Sequence, residues 1–278
     1  MVDGNYILLS EIVVNNDLDV NAFIHRIKED TSFYKAFKNL RIIEYTAIND
    51  IRMLDSKGKI EASLKGKIRQ IVQNHCRKME ILSQEVTGDY FDREGTPNYY
   101  TASMYSQLFF TKGTVCNETN IVGSRGINAE GLTGMEKRKA QLKMLFFNPG
   151  KRITGLPFIS NKTEIFDPEV AKYYDMKIDI DKGGIAPAYV FTIKAKKGKE
   201  NKVVIKEMST WFDIHNFDIL ARNYSLEYNA GVYDFDVNMK VRMTRVGNLV
   251  VPSVITYNGN WKVMFKKRER GVFTATLS

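Results

Sequence analysis

Along most of this chain apolar residues return at every second position, and they return at helical spacing in three short stretches. The cleanest alternation runs from Tyr233 to Thr244. Tyr233, Phe235, Val237, Met239, Val241 and Met243 take one face, while Asp234, Asp236, Asn238, Lys240, Arg242 and Thr244 take the other. A pleated strand sends successive side chains to opposite sides, so the pattern predicts one face in a core and one in water. Earlier, "LRIIEYTAINDIRML" and "KIEASLKGKIRQIV" flank "DSKGK", where Gly58 supplies the turn of a long hairpin. A third strand is expected from about Cys76 to Val86, followed by the turn-rich "TGDYFDREGTPN". From Tyr173 onward strands dominate, from "YYDMKIDI" and "AYVFTIKA" to "LVVPSVITY" and "GVFTATLS". Within "YNGNW", Asn258-Gly259 is a two-residue hairpin signal.

Helical spacing marks "DVNAFIHRIKED", Asp19 to Asp30, with Val20, Phe23, Ile24 and Ile27 on one face and Asp19 placed to cap the start. His25 points sideways or outward from this helix. "YYTASMYSQLFF", Tyr99 to Phe110, reads as a short helix with a bulky aromatic face. "MEKRKAQLKMLFF", Met135 to Phe147, reads as another, stopped by Asn148-Pro149-Gly150. Between them, Gly123 to Gly134 holds four glycines in twelve residues with no apolar period, a candidate mobile loop or lid. The expected fold is α+β and mainly β: a strongly curved antiparallel sheet, a half-open barrel, with an N-terminal helix and two or three inserted helices. No repeat or linker divides the chain, so residues 1–278 are read as a single domain.

Composition changes little in this picture. With 44% hydrophobic and 26% charged residues, the chain has the make-up of a soluble globular protein able to bury a sizeable core. Its formal charge of +9 favours anionic partners, but the basic residues are scattered, and "KAKKGKENK" reads as a solvated turn. No window approaches the ~20 apolar residues of a transmembrane helix. The N-terminus lacks a basic n-region and is interrupted by Glu11, so no signal peptide is visible; either the protein is cytosolic or an export signal has been removed. Two cysteines, Cys76 and Cys116, allow one bridge in an oxidising compartment or two buried thiols.

Candidate chemistry is sparse. "GINAEGLT" has the glycine spacing of a phosphate-binding loop, but Leu132 stands where the lysine is required. A Ser/His/Asp triad would need His215, which sits in a polar turn. Asp234 and Asp236 share a strand face with Lys240 and Arg242, the face expected in solvent. His75 beside Cys76 has no partner at metal-ligand spacing. The basic run at Lys266 to Arg270 is the nearest approach to a nucleic-acid surface and reads as a solvated strand end. No catalysis, cofactor, metal or nucleic acid is expected.

One region carries a resemblance. Tyr189 to Leu226 is a strand, a basic turn, a strand ending in Trp211-Phe212-Asp213, a polar turn and a return strand holding Ile219 and Arg222. It resembles the hairpin of the LolA/RseB/LppX-like bacterial envelope proteins, and the helix feeding long strands is similar too. The chain also reads like an exported bacterial family with "FNPG" and "RNYSL"-like segments. Within the hairpin, Trp211 is expected as a packing anchor, Asp213 as a turn former and Arg222 as a surface or rim partner for a carboxylate. The resemblance implies a non-enzymatic protein of the periplasm or outer membrane that holds a lipid, lipoprotein acyl chains or another hydrophobic ligand in its half-barrel. The candidate cavity positions are then Phe235, Val237, Met239 and Val241, with Tyr100, Tyr105, Phe109 and Phe110 as helical plugs. The alternative is an interaction module with a filled core that docks an envelope protein partner or an anionic membrane surface.

Overall fold

The computed structural model describes residues 12–14, 20–122, 144–145, 147, 149–150, 162–183, 187–229, 233–263 and 267–278. In chain order they form β1 (Ile12–Val14), α1 (Val20–Glu29), α2 (Ser32–Asn39), β2 (Tyr45–Leu54), β3 (Ile60–Gln73), β4 (Cys76–Gly88), α3 (Tyr100–Phe109) and β5 (Thr114–Cys116). After one helical turn at Pro168–Ala171 come β6 (Tyr174–Asp181), β7 (Ala188–Ala195), β8 (Ile205–Asp213), β9 (Ile219–Asn229), β10 (Tyr233–Val246), β11 (Leu249–Val263) and β12 (Glu269–Leu277). All strands join one sheet in the order β1-β6-β7-β8-β9-β10-β11-β12-β2-β3-β4-β5. Only β1 runs parallel to its neighbour; the other eleven strands form an antiparallel sheet whose two ends do not meet. The fold is thus the α+β, mainly β half-barrel that the alternation predicts. Register shifts within β2–β3, β3–β4, β8–β9 and β10–β11 bend the sheet, as bulges do.

The concave face is covered by helices laid across it in sequence. From α1, Phe23 inserts among Tyr189, Phe191, Phe212 and Phe217, with ring centroids 5.2–6.4 Å apart. From α2, Phe33 meets Tyr224 of β9, and Asn39 Nδ2 donates to the Val250 carbonyl of β11 at 2.8 Å. Phe147 packs on Phe37 of α2 at 4.7 Å. From α3, Tyr105 lies on Phe273 of β12 at 4.3 Å. Each buried aromatic or branched side chain in this layer contributes about 1.5–3 kcal/mol through lost contact with water.

The N-terminus of α3 has no side-chain cap of its own, since Tyr99 occupies the cap position. Glu269 of β12 substitutes: its carboxylate accepts from the amides of Tyr100 at 2.8 Å and Thr101 at 3.0 Å, and from the Thr101 hydroxyl at 3.2 Å. Two orphan amides and the positive end of the helix dipole are satisfied by one carboxylate from the sheet.

Several expectations need correction. Asn258-Gly259 lies inside β11, not at a turn; the two-residue turn is Gly247-Asn248, between Val246 and Leu249, with Gly247 at φ 59°. Gly at the first central position with positive φ suits a hairpin turn. Gly259 instead makes room: a Cβ there would stand 2.0 Å from the Tyr257 hydroxyl, which lies over it and accepts from Trp261 Nε1. Arg222 is in the core, 6% exposed, rather than at a rim. Its Nε donates to Thr210 Oγ1 at 2.9 Å and its guanidinium sits 4.5 Å over the Phe33 ring. Trp211 faces the outer side, half-buried, with Nε1 donating to Asp181 at 3.2 Å; the buried anchor is its neighbour Phe212. The second N-terminal helix, α2, is an addition. Leu145 and Phe147 are helical and buried, but most of Met135 to Phe147, and all of Gly123 to Gly134, lie outside the described residues.

Because Glu269 alone closes the start of α3, Glu269→Ala is expected to lower stability by about 1–2 kcal/mol. A urea midpoint identical to that of the wild type would show that the helix end needs no partner from β12.

Candidate functional site

The three helices reach from β7 to β12, and the sheet goes on past α3 into β2, β3 and β4. Among the described residues, the inner face of that arm is only partly covered. Between it and α3 lies a groove of about 580 Å³. Its apolar floor comes from Leu64 and Ile68 of β3 and Met79 and Ile81 of β4. Ile68 and Ile81 are register partners, yet Ile68 is 5% exposed and Ile81 is 65% exposed, so the uncovered part lies toward β4. Ser103, Ser106 and Phe110, on and just after α3, form the facing wall. A small turn, closed by a bridge between Phe91 and Pro97, makes one end. Glu94, Gln107 and Lys112 add polar and charged groups to the lining.

A cross-strand row gives the floor a polar centre. Ala275, Asn49, Gly66 and Gln84 are register neighbours on β12, β2, β3 and β4. Gly66 has no side chain to cover Asn49, and even a Cβ there would come within 3.0 Å of the Ser83 carbonyl. Asn49 is 2% exposed and accepts from the Tyr105 hydroxyl at 2.5 Å through Oδ1. Among the described residues its Nδ2 has no hydrogen-bond partner. Burial pushes the Tyr105 hydroxyl well above its ordinary pKa, so it remains a neutral donor at any physiological pH.

The β4 part of the floor and the α3 wall belong to one covalent loop. Cys76 and Cys116 are directly opposite on β4 and β5 and form a disulfide, which settles the alternative the spacing left open. The 40-residue separation encloses β4, the Phe91–Pro97 turn and α3. Next to the bridge, Glu118 accepts from Arg41 Nη1 at 2.7 Å and from Arg77 Nε. Burial raises the Glu118 carboxyl, but the two guanidinium groups outweigh it and hold it below the ordinary value. A depressed carboxyl stabilises the fold above its unfolded pKa, so this clasp is intact at neutral pH and weakens as pH falls through the lowered value.

The eight candidate positions separate. Phe235, Val237 and Val241 are wholly buried and Met239 is 3% exposed, in a filled part of the core where Phe235 stacks on Trp261 at 4.9 Å. Met239, Tyr105 and Phe109 border a void of about 20 Å³, close to the space of one water. Tyr100 is half-buried near Trp261. Phe110 lines the large groove. Asn49, Gly66, Ile68 and Ile81 were not singled out by sequence reasoning, although the run Ala47, Asn49, Ile51, Met53 puts Asn49 on an inward face. Asp234 is on the outer face, paired with Arg268, and Asp236 is exposed beside it. His215 is exposed in the turn where Asp213 accepts the amides of His215 and Asn216. Among the described residues no three His, Cys, Asp or Glu side chains converge as a metal site would require, and no helix is long and apolar enough to cross a membrane.

No protein-family model matches the chain, and no curated protein matches it. Solved structures similar to it include a domain described for outer membrane lipoprotein sorting from Vibrio parahaemolyticus, at 8% identity over 90% of this chain and 92% of that one, with a TM-score of 0.30. A DUF1329-family protein from Desulfovibrio piger is 10% identical over 89% and 90%, TM-score 0.25. A LolA-superfamily protein from Nitrosomonas europaea is 10% identical over 89% and 90%, TM-score 0.24.

Removing the bridge with the double substitution Cys76→Ser and Cys116→Ser frees a loop of 40 residues. Stability is expected to fall by about 4 kcal/mol on loop-entropy grounds. Guanidinium unfolding checks this, and an unchanged midpoint would mean that the Glu118 clasp and the β4–β5 pairing already hold the loop.

Proposed function

We propose that this chain binds the apolar tail of a lipid or acylated molecule in the groove between α3 and the β2–β4 arm, and that it performs no chemistry on it. The observation that carries the reading is the aliphatic floor left open among the described residues: about 580 Å³ bordered by Leu64, Ile68, Met79, Ile81 and Phe110, beside a core whose own voids are far smaller. Pockets for small ligands have about this size and are mostly apolar with a few fixed polar groups. Burying about ten methylenes there would supply about 8 kcal/mol, the magnitude of a micromolar Kd before the cost of immobilising the chain. Met79 gives one wall an adaptable side chain for an irregular tail.

The cell envelope is the proposed location. The Cys76–Cys116 bridge supports a compartment in which disulfides persist, as in a bacterial periplasm. Phe110 is the candidate plug that faces the ligand, while Tyr105 and Phe109 back the wall. Phe235, Val237, Met239 and Val241 then belong to the packed core, with Tyr100 against it, rather than to the ligand site.

Displacement of the fluorescent fatty acid 11-(dansylamino)undecanoic acid tests the reading. Wild-type protein is expected to bind it with micromolar affinity. Ser106→Trp, which puts an indole into the groove from a half-buried helical position, should weaken binding at least about tenfold with an unchanged melting temperature. No binding by the wild type, or equal binding by the variant, would sink the groove as the site. Binding to anionic vesicles that Ser106→Trp leaves intact and that salt removes would favour surface docking instead.

A further inference from the structure

We infer that the groove selects a tail carrying a carbonyl group, and that Asn49 Nδ2 is the donor that reads it. The inference rests on the groove being the ligand site and names the chemistry of what it accepts. Asn49 is a polar residue of the groove lining, 2% exposed, and its Nδ2 is a buried donor without a partner among the described residues. A buried amide hydrogen left unbonded costs about 1–3 kcal/mol, and buried polar groups in folded proteins are otherwise satisfied almost without exception. Asn49 is among the residues that line the groove, and its register partner Gly66 carries no side chain.

The direction of the hydrogen bonds fixes the ligand chemistry. Tyr105 donates its hydroxyl proton to Asn49 Oδ1, which leaves both Nδ2 hydrogens for an acceptor. The Tyr105 contact also holds the amide plane, so the donor is oriented before any ligand arrives. A saturated hydrocarbon tail placed over Asn49 would bury the donor unpaired. An acyl chain entering with its carbonyl over Gly66 would pair it, with the methylenes running along Ile68 and Ile81 toward β4. The other buried polar atom without a partner, the Tyr90 hydroxyl, belongs to a ring packed on Phe91 of the groove's end wall at 4.8 Å.

Methyl decanoate and tridecane, which match in size, separate the two cases when each displaces the dansyl fatty acid from the wild type. The ester is expected to compete at least about tenfold better, the lower part of the range that an unsatisfied buried donor implies. Asn49→Leu should bring the two to parity by weakening the ester and sparing the alkane. Equal competition by both ligands in the wild type overturns the inference and leaves the groove reading standing. Ester preference that survives in Asn49→Leu overturns it as well. Failure of either ligand to displace the probe removes the groove as the site, and the inference with it. N-methyldecanamide, run alongside, separates sources: tighter binding than the ester supports an N-acyl chain, weaker binding an ester-linked one, and either one well above tridecane supports the carbonyl contact.

Discussion

The structure depends on a mismatch of widths. Eleven antiparallel strands spaced about 4.8 Å apart make an inner face about 50 Å broad, and a helix covers about 10 Å of it. Helices α1, α2 and α3, laid side by side, therefore shield about 30 Å. Curvature brings the far strands closer but does not join the ends, since β1 and β5 are both edges. Among the described residues, the uncovered part falls where the run of helices stops, at β2, β3 and β4. The groove is a consequence of that arithmetic before it is a feature of any particular side chain.

What keeps the gap from collapsing is the way α3 is held. Its first turn is fixed to β12 through Glu269, its middle to β2 through Tyr105 and Asn49, and its far end returns to β4 through the disulfide. Each tie comes from a different direction. A helix so placed cannot slide over β3 and β4 to bury Ile81, although burial of that side chain alone would be worth about 1.5–3 kcal/mol. The sheet thus keeps an exposed aliphatic surface that the chain's own packing would otherwise remove.

Much of the fold was legible in the sequence, because period-two patterning reports directly which face of a strand is buried. The outward and inward residues of β10 were readable one by one for this reason. Misreadings came where one residue type has two uses. Asn258-Gly259 has the composition of a turn, yet Gly259 is small so that Tyr257 can lie over it. Arg222 reads as a surface cation, and its partners, the Thr210 hydroxyl and the Phe33 ring, come from β8 and α2, far from it in sequence. Helix α2, eight residues long, is too short to declare a period and exists because Phe33 and Phe37 find a core. The groove was invisible for a different reason: alternation says that a face is turned inward, not whether anything arrives to cover it.

The buried polar residues show which parts of the interior are finished. Gln70 is 1% exposed, and its amide nitrogen donates to the carbonyls of Leu40 at 2.7 Å and Ile43 at 2.8 Å. Arg222, also buried, has a hydroxyl for its Nε and an aromatic face for its charge. Both are complete without a ligand, and both serve to join elements: Gln70 ties β3 to the segment entering β2, and Arg222 ties β9 to β8 and α2. Asn49 differs in a single atom. Its oxygen is engaged by Tyr105, as the Gln70 oxygen is by Arg77, while its nitrogen is buried with no hydrogen-bond partner among the described residues. A polar group that only positioned α3 would need the oxygen alone, and a Thr or Ser would supply that acceptor without burying two further donor hydrogens. The amide is accounted for when its second half has work outside the fold.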